Sequence, residues 1–177
     1  MDGNGGLGAQ DLRVGHGYDL HRLDRLAPHG AGRALIVGGV LFEHEFGPVG
    51  HSDSDVLLHA ITDALLGALA LPDIGQLFPD TDGAHEGQES SVFLAEAARL
   101  VRERGFVVVN VDATVVLERP KLGERKGEMR EKIAGVLGVD VSRVNVKGKT
   151  GEGVGAVGEG RAIEAHVVVL LGRLVGA

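Results

Sequence analysis

The chain has 177 residues, 44% of them hydrophobic, which is enough for one compact domain with a sizeable core and too little for two. Acidic residues outnumber basic ones by 25 to 18, and the net charge of −7 argues against a broad nucleic-acid-binding face. The chain has no cysteine, which excludes disulfides and thiolate metal sites, so any metal ligands must be His, Asp or Glu.

Residues 1–11 are rich in glycine. We expect them to form a flexible extension that precedes a single domain over residues 12–177. They have neither the basic flank nor the apolar core of a signal peptide, and no run approaches the roughly 20 apolar residues of a membrane span. These features favour a cytoplasmic protein with no membrane partner.

Strands and helices are predicted along the rest of the chain. Short strands over residues 12–16 and 34–42, with a polar loop between them, predict a hairpin. A long apolar helix is predicted over residues 52–71, with Ser52 near its start and Pro72 after its end. The later predicted elements are a helix over 90–104, a strand over 106–118, a helix over 124–137, and strands over 144–147 and 163–174. This pattern indicates an α+β domain with a mixed sheet and helices packed on one face.

The long central helix carries one narrow polar stripe on an otherwise apolar surface. Asp55, His59, Thr62 and Asp63 fall at the three- and four-residue spacings of one helix face. A mostly buried helix with such a stripe is expected to line a cleft.

Three side chains have the pattern of a metal site. Asp19 and His21 lie two residues apart after a strand, so in an extended segment both side chains point the same way. His59 would complete the Asp/His/His set that is typical of an open zinc site, and Asp63 would orient its ring from one helical turn further on. Alternatively, Asp19 and His21 are solvated loop residues, and His59 and Asp63 satisfy each other in the core.

Three loops could hold parts of a ligand. Residues 51–53 precede the central helix and would either bind a phosphate at its N-terminus or form an ordinary cap with His51 exposed. The acidic loop over residues 73–82 suits a polyol or a hard cation, although most such loops are plain turns. The glycine-rich loop over residues 147–160 carries Thr150 and Glu152 between lysines and glycines, which suits a diphosphate with a divalent ion. It lacks the P-loop pattern, which disfavours a nucleotide triphosphatase.

Six segments together resemble one enzyme family. They are RVGHGYDLHRL, LIVGG, GHSDSDVLLHAITDALLGAL, DIGQLFPDTD, ERPKL and VNVKGKTGEG. From residue 13 to about residue 171 the chain resembles the 2-C-methyl-D-erythritol 2,4-cyclodiphosphate synthases of the non-mevalonate isoprenoid pathway. The resemblance implies that 4-diphosphocytidyl-2-C-methyl-D-erythritol 2-phosphate closes on itself and releases CMP.

The resemblance also implies roles for individual residues. Zinc would be held by Asp19, His21 and His59, and Glu152 would help to hold a Mg²⁺ or Mn²⁺ that bridges the substrate diphosphate. His51 and Thr150 would be the catalytic residues that stabilise the transition state, in homotrimers with active sites between subunits. The remaining substrate-binding residues would be Ser52, Asp73, Gly75, Phe78, Asp80 and Asp82, and, for the cytidine nucleotide, Leu117, Lys121, Leu122, Lys147 and Lys149.

The chain departs from the family pattern in its last third. Glu159 and Arg161 stand in a Gly-Glu-Gly-Arg run where many members have Gly-Arg-Gly-Glu. Two other functions stay open at this point. A metal-dependent phosphohydrolase would use the same ligands with a positioned water, and would release inorganic phosphate from simple esters. A non-catalytic nucleotide-binding trimer would bind zinc and form no CMP.

Overall fold

The structure is a computed structural model that describes residues 12–79 and 87–173. Five strands form one sheet in the order β4-β1-β7-β5-β6, and β2 and β3 form a separate two-stranded sheet. Only the β5–β6 pair is parallel among the five strands, so the predicted mixed sheet is confirmed. The strands are β1 (Leu12–Arg25), β2 (Leu35–Val37), β3 (Val40–Phe42), β4 (Phe46–Pro48), β5 (Phe106–Val116), β6 (Val144–Lys149) and β7 (Ala162–Arg173).

Three longer helices pack against the sheet. The helix α1 contacts β1 and β7, α3 contacts α1 and β5, and α4 contacts α3 and β6. This arrangement confirms the α+β class. The helices are α1 (Val56–Ala68), α2 (Ile74–Leu77), α3 (Ser90–Glu103), α4 (Lys126–Leu137) and α5 (Gly155–Gly158), with 3₁₀ turns at Gly123–Arg125 and Val141–Arg143.

Two glycines let the backbone of α1 lie directly on β1. A Cβ added at Gly15 would lie 1.8 Å from the carbonyl oxygen of Ala64, and one at Gly17 would lie 1.9 Å from that of Ala60. No side chain fits in that space, so the helix and the strand approach more closely than any other residue would permit. Asp19 and His21 continue the same face of β1 and therefore reach the neighbouring turn of α1, which carries His59.

The hairpin predicted between residues 12–16 and 34–42 is wrong. Strand β1 runs on to Arg25 and pairs with β7, from Leu12 opposite Gly172 to Arg22 opposite Ala162. The second predicted strand is itself a hairpin, because Gly38 and Gly39 have φ values of +61° and +74° and reverse the chain between β2 and β3. Such paired positive φ values are those of a tight two-residue turn.

The start of α1 also differs from the prediction. The N-cap is Asp55, whose Oδ1 accepts hydrogen bonds of 3.1 Å from the backbone N–H groups of Leu57 and Leu58. The same carboxylate accepts hydrogen bonds from Gly38 N at 2.9 Å and Gly39 N at 2.6 Å and is fully buried. Asp55 therefore joins the β2–β3 turn to α1 and does not line a cleft.

The other residues of the predicted polar stripe do not share one environment. Thr62 is buried, and its hydroxyl donates to Leu58 O at 2.8 Å, so it faces the core. Asp63 is half-buried. Of the four residues of the stripe, His59 is the one that lines a cavity containing the other predicted metal ligands.

The opposite face of the sheet carries exposed apolar side chains. They alternate along β1 and β7 with the residues that face the helices: Val14 is 68% exposed, Tyr18 46%, Leu20 45% and Val168 45%. We call these four residues the open face. Within the described residues, no helix is long and apolar enough to cross a membrane.

Candidate active site

The predicted metal ligands come together where the second half of β1 passes the start of α1. Asp19 Oδ2 lies 3.0 Å from His21 Nε2 and 3.1 Å from His59 Nδ1. The two imidazole nitrogens are 3.3 Å apart. One ligand atom from each residue lies within 4.8 Å of the other two, and among the described residues this is the one such cluster that could hold a metal ion.

The charges in this cluster suit a divalent transition metal. Burial favours a raised pKa for Asp19, but hydrogen bonds from His21 and His59 outweigh it and hold the pKa of this carboxyl well below its usual range. Burial favours a lowered pKa for His59, but the bond to Asp19 outweighs it and raises the pKa of the imidazole. Two imidazoles and one carboxylate form a donor set that fits zinc with one position left for another ligand.

A cavity of about 460 Å³ opens over the cluster, and we call it the metal cavity. It brings several of the predicted substrate residues next to the predicted ligands. Its lining comprises Asp19, His21, Val49, Gly50, His51, Ser52, Ser54, His59, Ile74, Gly75, Phe78 and Phe93.

Two aspartates near the metal cavity hold the α2 segment. Asp73 is the N-cap of α2 and accepts a hydrogen bond of 2.9 Å from Gln76 N. Asp63 Oδ1 accepts a hydrogen bond of 2.8 Å from Ile74 N, so this carboxylate orients the wall of the cavity that carries Gly75. Asp80 and Asp82, which are predicted to contact substrate, lie outside the described residues.

The partner of His59 on the side away from the cluster is a serine that the sequence did not single out. Ser90 Oγ lies 2.8 Å from His59 Nε2, and Ser52 Oγ lies 3.3 Å from the same atom. Ser90 is fully buried at the start of α3 and donates its hydroxyl proton to Asp53. A serine at the start of an amphipathic helix is ordinarily a capping residue, so its type and position carried no signal for a metal site.

The N-terminus of α1 does not offer the phosphate site that was one interpretation of residues 51–53. The carboxylate of Asp55 already accepts from Leu57 N and Leu58 N, the N–H groups that would otherwise face an anion. His51 is exposed and lies in the lining of the metal cavity, ahead of the helix.

A second cavity, of about 590 Å³, lies where β5 and β6 end, and we call it the lysine cavity. It brings together most of the residues predicted to bind the cytidine nucleotide with Thr150 and Glu152, whose side chains are hydrogen-bonded to each other. Lys126, which the sequence analysis did not name, adds a third ammonium group. The lining residues are Leu117, Lys121, Leu122, Gly123, Lys126, Gly148, Lys149, Thr150 and Glu152.

Two other basic residues point elsewhere. Lys147 forms an ion pair of 2.7 Å with Asp112 and is not part of the lysine cavity lining. Arg161 forms an ion pair with Glu159, and both side chains are exposed. The metal cavity and the lysine cavity share no lining residue, so within one chain the metal ligands and the cationic groups belong to separate pockets.

Comparisons with known proteins point to one enzyme family. The family model described as the YgbB family matches residues 12–172. The chain is 55% identical over 162 residues to 2-C-methyl-D-erythritol 2,4-cyclodiphosphate synthase from Aromatoleum aromaticum, covering 92% of this chain and 94% of that protein. It is 51% identical over 160 residues to the chloroplastic synthase of the same name from Arabidopsis thaliana, covering 90% of this chain and 67% of that protein.

A solved structure is similar across almost the whole fold. It is described as a CDP complex of IspF from Plasmodium falciparum, and it superposes with a TM-score of 0.81 at 34% sequence identity. The match covers 95% of this chain and 100% of that one. A second solved cyclodiphosphate synthase, in a CDP-bound form, superposes with a TM-score of 0.80 at 40% identity over 90% of this chain and 99% of that chain.

Proposed function

The chain belongs to the YgbB family of 2-C-methyl-D-erythritol 2,4-cyclodiphosphate synthases, lyases of isoprenoid biosynthesis, and from this premise we propose how its own residues carry out the reaction. The substrate is 4-diphosphocytidyl-2-C-methyl-D-erythritol 2-phosphate. An oxygen of its 2-phosphate attacks the β-phosphorus, and the bond from that phosphorus to the oxygen bridging to the α-phosphorus breaks. CMP leaves with that oxygen, and the cyclic diphosphate remains.

This chemistry needs positioning and charge neutralisation more than a reactive side chain. The nucleophile is an ionised phosphate oxygen within the substrate itself, so neither a strong base nor a protein nucleophile is required. That requirement is compatible with the composition of the two cavities, which contain metal ligands, lysines, hydroxyls and an exposed histidine.

The metal cavity is the proposed site of the reacting phosphates. Asp19, His21 and His59 would hold zinc, because their donor atoms converge within 4.8 Å and include no sulfur. When bound there, zinc supplies positive charge for a substrate phosphate. Ser52 and the α2 segment with Asp73, Gly75 and Phe78 would hold the methylerythritol phosphate against these ligands, together with Asp80 and Asp82.

The lysine cavity is the proposed site of the cytidine diphosphate. Lys121 and Lys149 place ammonium groups in a pocket whose walls include Leu117 and Leu122, which suits an anionic nucleotide with an apolar base. Glu152 would hold Mg²⁺ or Mn²⁺, which supplies charge neutralisation between phosphate oxygens when bound. Lys147 forms an ion pair with Asp112, so this pair would have to break before Lys147 could bind the nucleotide.

His51 and Thr150 are the proposed donors to the developing phosphoryl charge. His51 is exposed in the lining of the metal cavity but outside the cluster of ligands, and Thr150 lies in the lysine cavity. Donors positioned where charge develops contribute more to the transition state than to the ground state.

The active site is proposed to form between subunits of a homotrimer. Support comes from the two separate cavities, because a single substrate must reach the metal ligands and the nucleotide pocket together. The open face supports assembly as well, since four large side chains there are more than one-third exposed on the side of the sheet opposite the helices. A cytoplasmic location stays a prediction.

One observation carries the proposal most strongly: the convergence of Asp19, His21 and His59 beneath a cavity that also contains His51 and Ser52. The test is to incubate the protein and Mg²⁺ with the diphosphocytidyl substrate and to separate the products by chromatography. We expect CMP and a cyclic diphosphate in equal amounts. Inorganic phosphate would instead indicate the metal-dependent phosphohydrolase, and zinc binding without any CMP would indicate the non-catalytic nucleotide-binding trimer.

A further inference from the structure

We propose that Ser90 and Asp53 act together as positioning residues that fix the ring of His59 for metal binding. The inference rests on the proposed metal site and assigns to it two residues outside the ligand set. The chain of contacts runs from His59 Nε2 to Ser90 Oγ and from Ser90 Oγ to a carboxylate oxygen of Asp53. We call these three side chains the relay.

The nitrogen of His59 that faces the cluster determines which group donates and which group accepts in the hydrogen bond between His59 and Ser90. Nδ1 lies 3.1 Å from Asp19 Oδ2 and 3.3 Å from His21 Nε2, so Nδ1 is the atom that would bind metal. A metal-bound neutral imidazole carries its proton on the other nitrogen, here Nε2, which must then donate a hydrogen bond. Ser90 Oγ, 2.8 Å away, is the acceptor in position.

Asp53 determines that Ser90 accepts from His59. A serine hydroxyl can donate one hydrogen bond and accept others, whereas an ionised carboxylate can only accept. The hydroxyl proton of Ser90 goes to Asp53 Oδ1, and the backbone N–H of Ser90 donates to Asp53 Oδ2 at 3.1 Å. With its proton held in this way, Ser90 presents its lone pairs to His59 Nε2.

The surroundings hold the relay in one geometry. Ser90 is fully buried, and Asp53 is fixed by a hydrogen bond of 3.2 Å from its own N–H to Gln88 O. Asp53 Oδ1 also accepts from Asp55 N at 3.2 Å, which ties the relay to the N-cap of α1. The competing contact to Ser52 is the weaker one, because Ser52 Oγ is 3.3 Å from Nε2 and already accepts from Ser54 N at 3.0 Å.

The first test measures the zinc dissociation constant of Ser90→Ala by competition with a chromophoric chelator, without substrate. We expect zinc binding about 10- to 100-fold weaker, the usual cost of losing a partner behind a ligand. The absorption spectrum of the cobalt-substituted protein should change as well, because the coordination geometry depends on the orientation of His59. Ser91→Ala is the matched control, since the neighbouring hydroxyl contacts Glu89 and not the relay.

The second test separates positioning from a general loss of structure. Asp53→Asn should weaken zinc binding in the wild-type background and weaken it much less in Ser90→Ala, because the hydrogen-bonded path from Asp53 to His59 runs through Ser90. A lowered melting temperature with an unchanged zinc affinity for Ser90→Ala would overturn the proposal. An equal effect of Asp53→Asn in both backgrounds would also overturn it.

These outcomes are distinct from failure of the proposed function. If the wild-type protein binds zinc but forms no CMP, the relay is still tested by the affinities and by the cobalt spectra. If the wild-type protein binds no zinc at this cluster, both the metal site and the relay are refuted. If zinc binds and CMP forms while Ser90→Ala keeps the wild-type affinity, the relay alone is wrong.

Discussion

His51 and Thr150 differ from the metal ligands in what their loss should change. If His51 donates to the developing phosphoryl charge as proposed, His51→Ala should lower kcat by about 10² to 10³ and leave the ligand cluster intact. Thr150→Ala should have a similar effect. Steady-state kinetics and zinc analysis of the purified variants check this prediction, and zinc content should match the wild-type protein for both.

The matched control for His51 is His29→Ala, because His29 is exposed and lies outside both cavities. Its kinetics should equal those of the wild-type protein. An increase in KM with unchanged kcat for both His51→Ala and Thr150→Ala would contradict a role in the transition state and make them substrate anchors.

At this scale the sequence predicted the cluster of Asp19, His21 and His59 better than the side chains that hold the cluster in place. Asp19 and His21 were predictable because the two-residue period of a strand puts both on one face, and His59 because a histidine on an apolar helix needs partners. Asp63 was predicted to orient His59 from its helical spacing, but its carboxylate bonds to Ile74 N in the next segment. The contact between His59 and Ser90 joins residues of two helices that are 31 positions apart in the sequence, and no local sequence pattern predicts such a contact.

Asp55 makes a stability prediction for α1. Asp55→Ala removes the cap of the helix and leaves two N–H groups without their acceptor, that of the buried Gly38 and that of the half-buried Gly39. We expect the free energy of unfolding to fall by about 3 to 5 kcal/mol. Urea denaturation followed by circular dichroism measures it.

A second capping aspartate serves as the control for Asp55. Asp140 accepts from Ser142 N at 2.9 Å at the start of an exposed 3₁₀ turn, so Asp140→Ala should cost only about 1 kcal/mol. Equal losses for the two variants would mean that the bonds from Asp55 to the β2–β3 turn contribute nothing.

The contact between β1 and α1 depends on Gly17. A methyl group there would overlap the carbonyl oxygen of Ala60 at 1.9 Å, so Gly17→Ala should lower the free energy of unfolding by about 3 kcal/mol. To relieve this overlap β1 and α1 must move apart. That movement would separate Asp19 from His59, so zinc affinity should also fall. Denaturation and chelator competition measure the two effects.

Gly135→Ala in α4 is the corresponding control. Nothing lies within 4 Å of a Cβ built at Gly135, and alanine is the better helix former, so this variant should be neutral or up to about 1 kcal/mol more stable. If Gly17→Ala were equally harmless, β1 and α1 would not be in backbone contact.

Helices and long strands were predictable where the apolar period was clear and a glycine marked the end. Gly138, in the left-handed region at φ +70°, ends α4 where the sequence predicted it. The error over residues 12–42 arose because Gly15 and Gly17 interrupt the apolar alternation of β1, so its length was hidden. The pairing of β1 with β7 joins the two ends of the described chain, which no short-range signal specifies.

At the scale of the whole molecule, the proposed homotrimer makes a prediction of its own. If the metal cavity of one subunit faces the lysine cavity of another, the impaired His59→Ala and Thr150→Ala chains should gain activity when mixed. Some sites in the mixed trimers would then combine an intact metal cavity with an intact lysine cavity. Activity measured after verified subunit exchange checks this, with each variant incubated alone as the control.

Recovery is expected to stay below the wild-type rate, because many sites in the mixture still contain one altered half. No recovery after exchange would place each complete site within one chain. The composition of the site across subunits was not accessible from periodicity, since spacing along one chain says nothing about a second copy. It entered the sequence analysis only through family resemblance.

The most direct test of the central claim is where the oxygen of the new P–O bond comes from. The reaction is run in water enriched in ¹⁸O, and the products are examined by ³¹P NMR and mass spectrometry. Intramolecular attack by the 2-phosphate predicts CMP and a cyclic diphosphate that both lack ¹⁸O. CMP together with a linear bisphosphate carrying solvent ¹⁸O would show that water attacks the β-phosphorus, and would contradict cyclisation at the Asp19, His21 and His59 cluster.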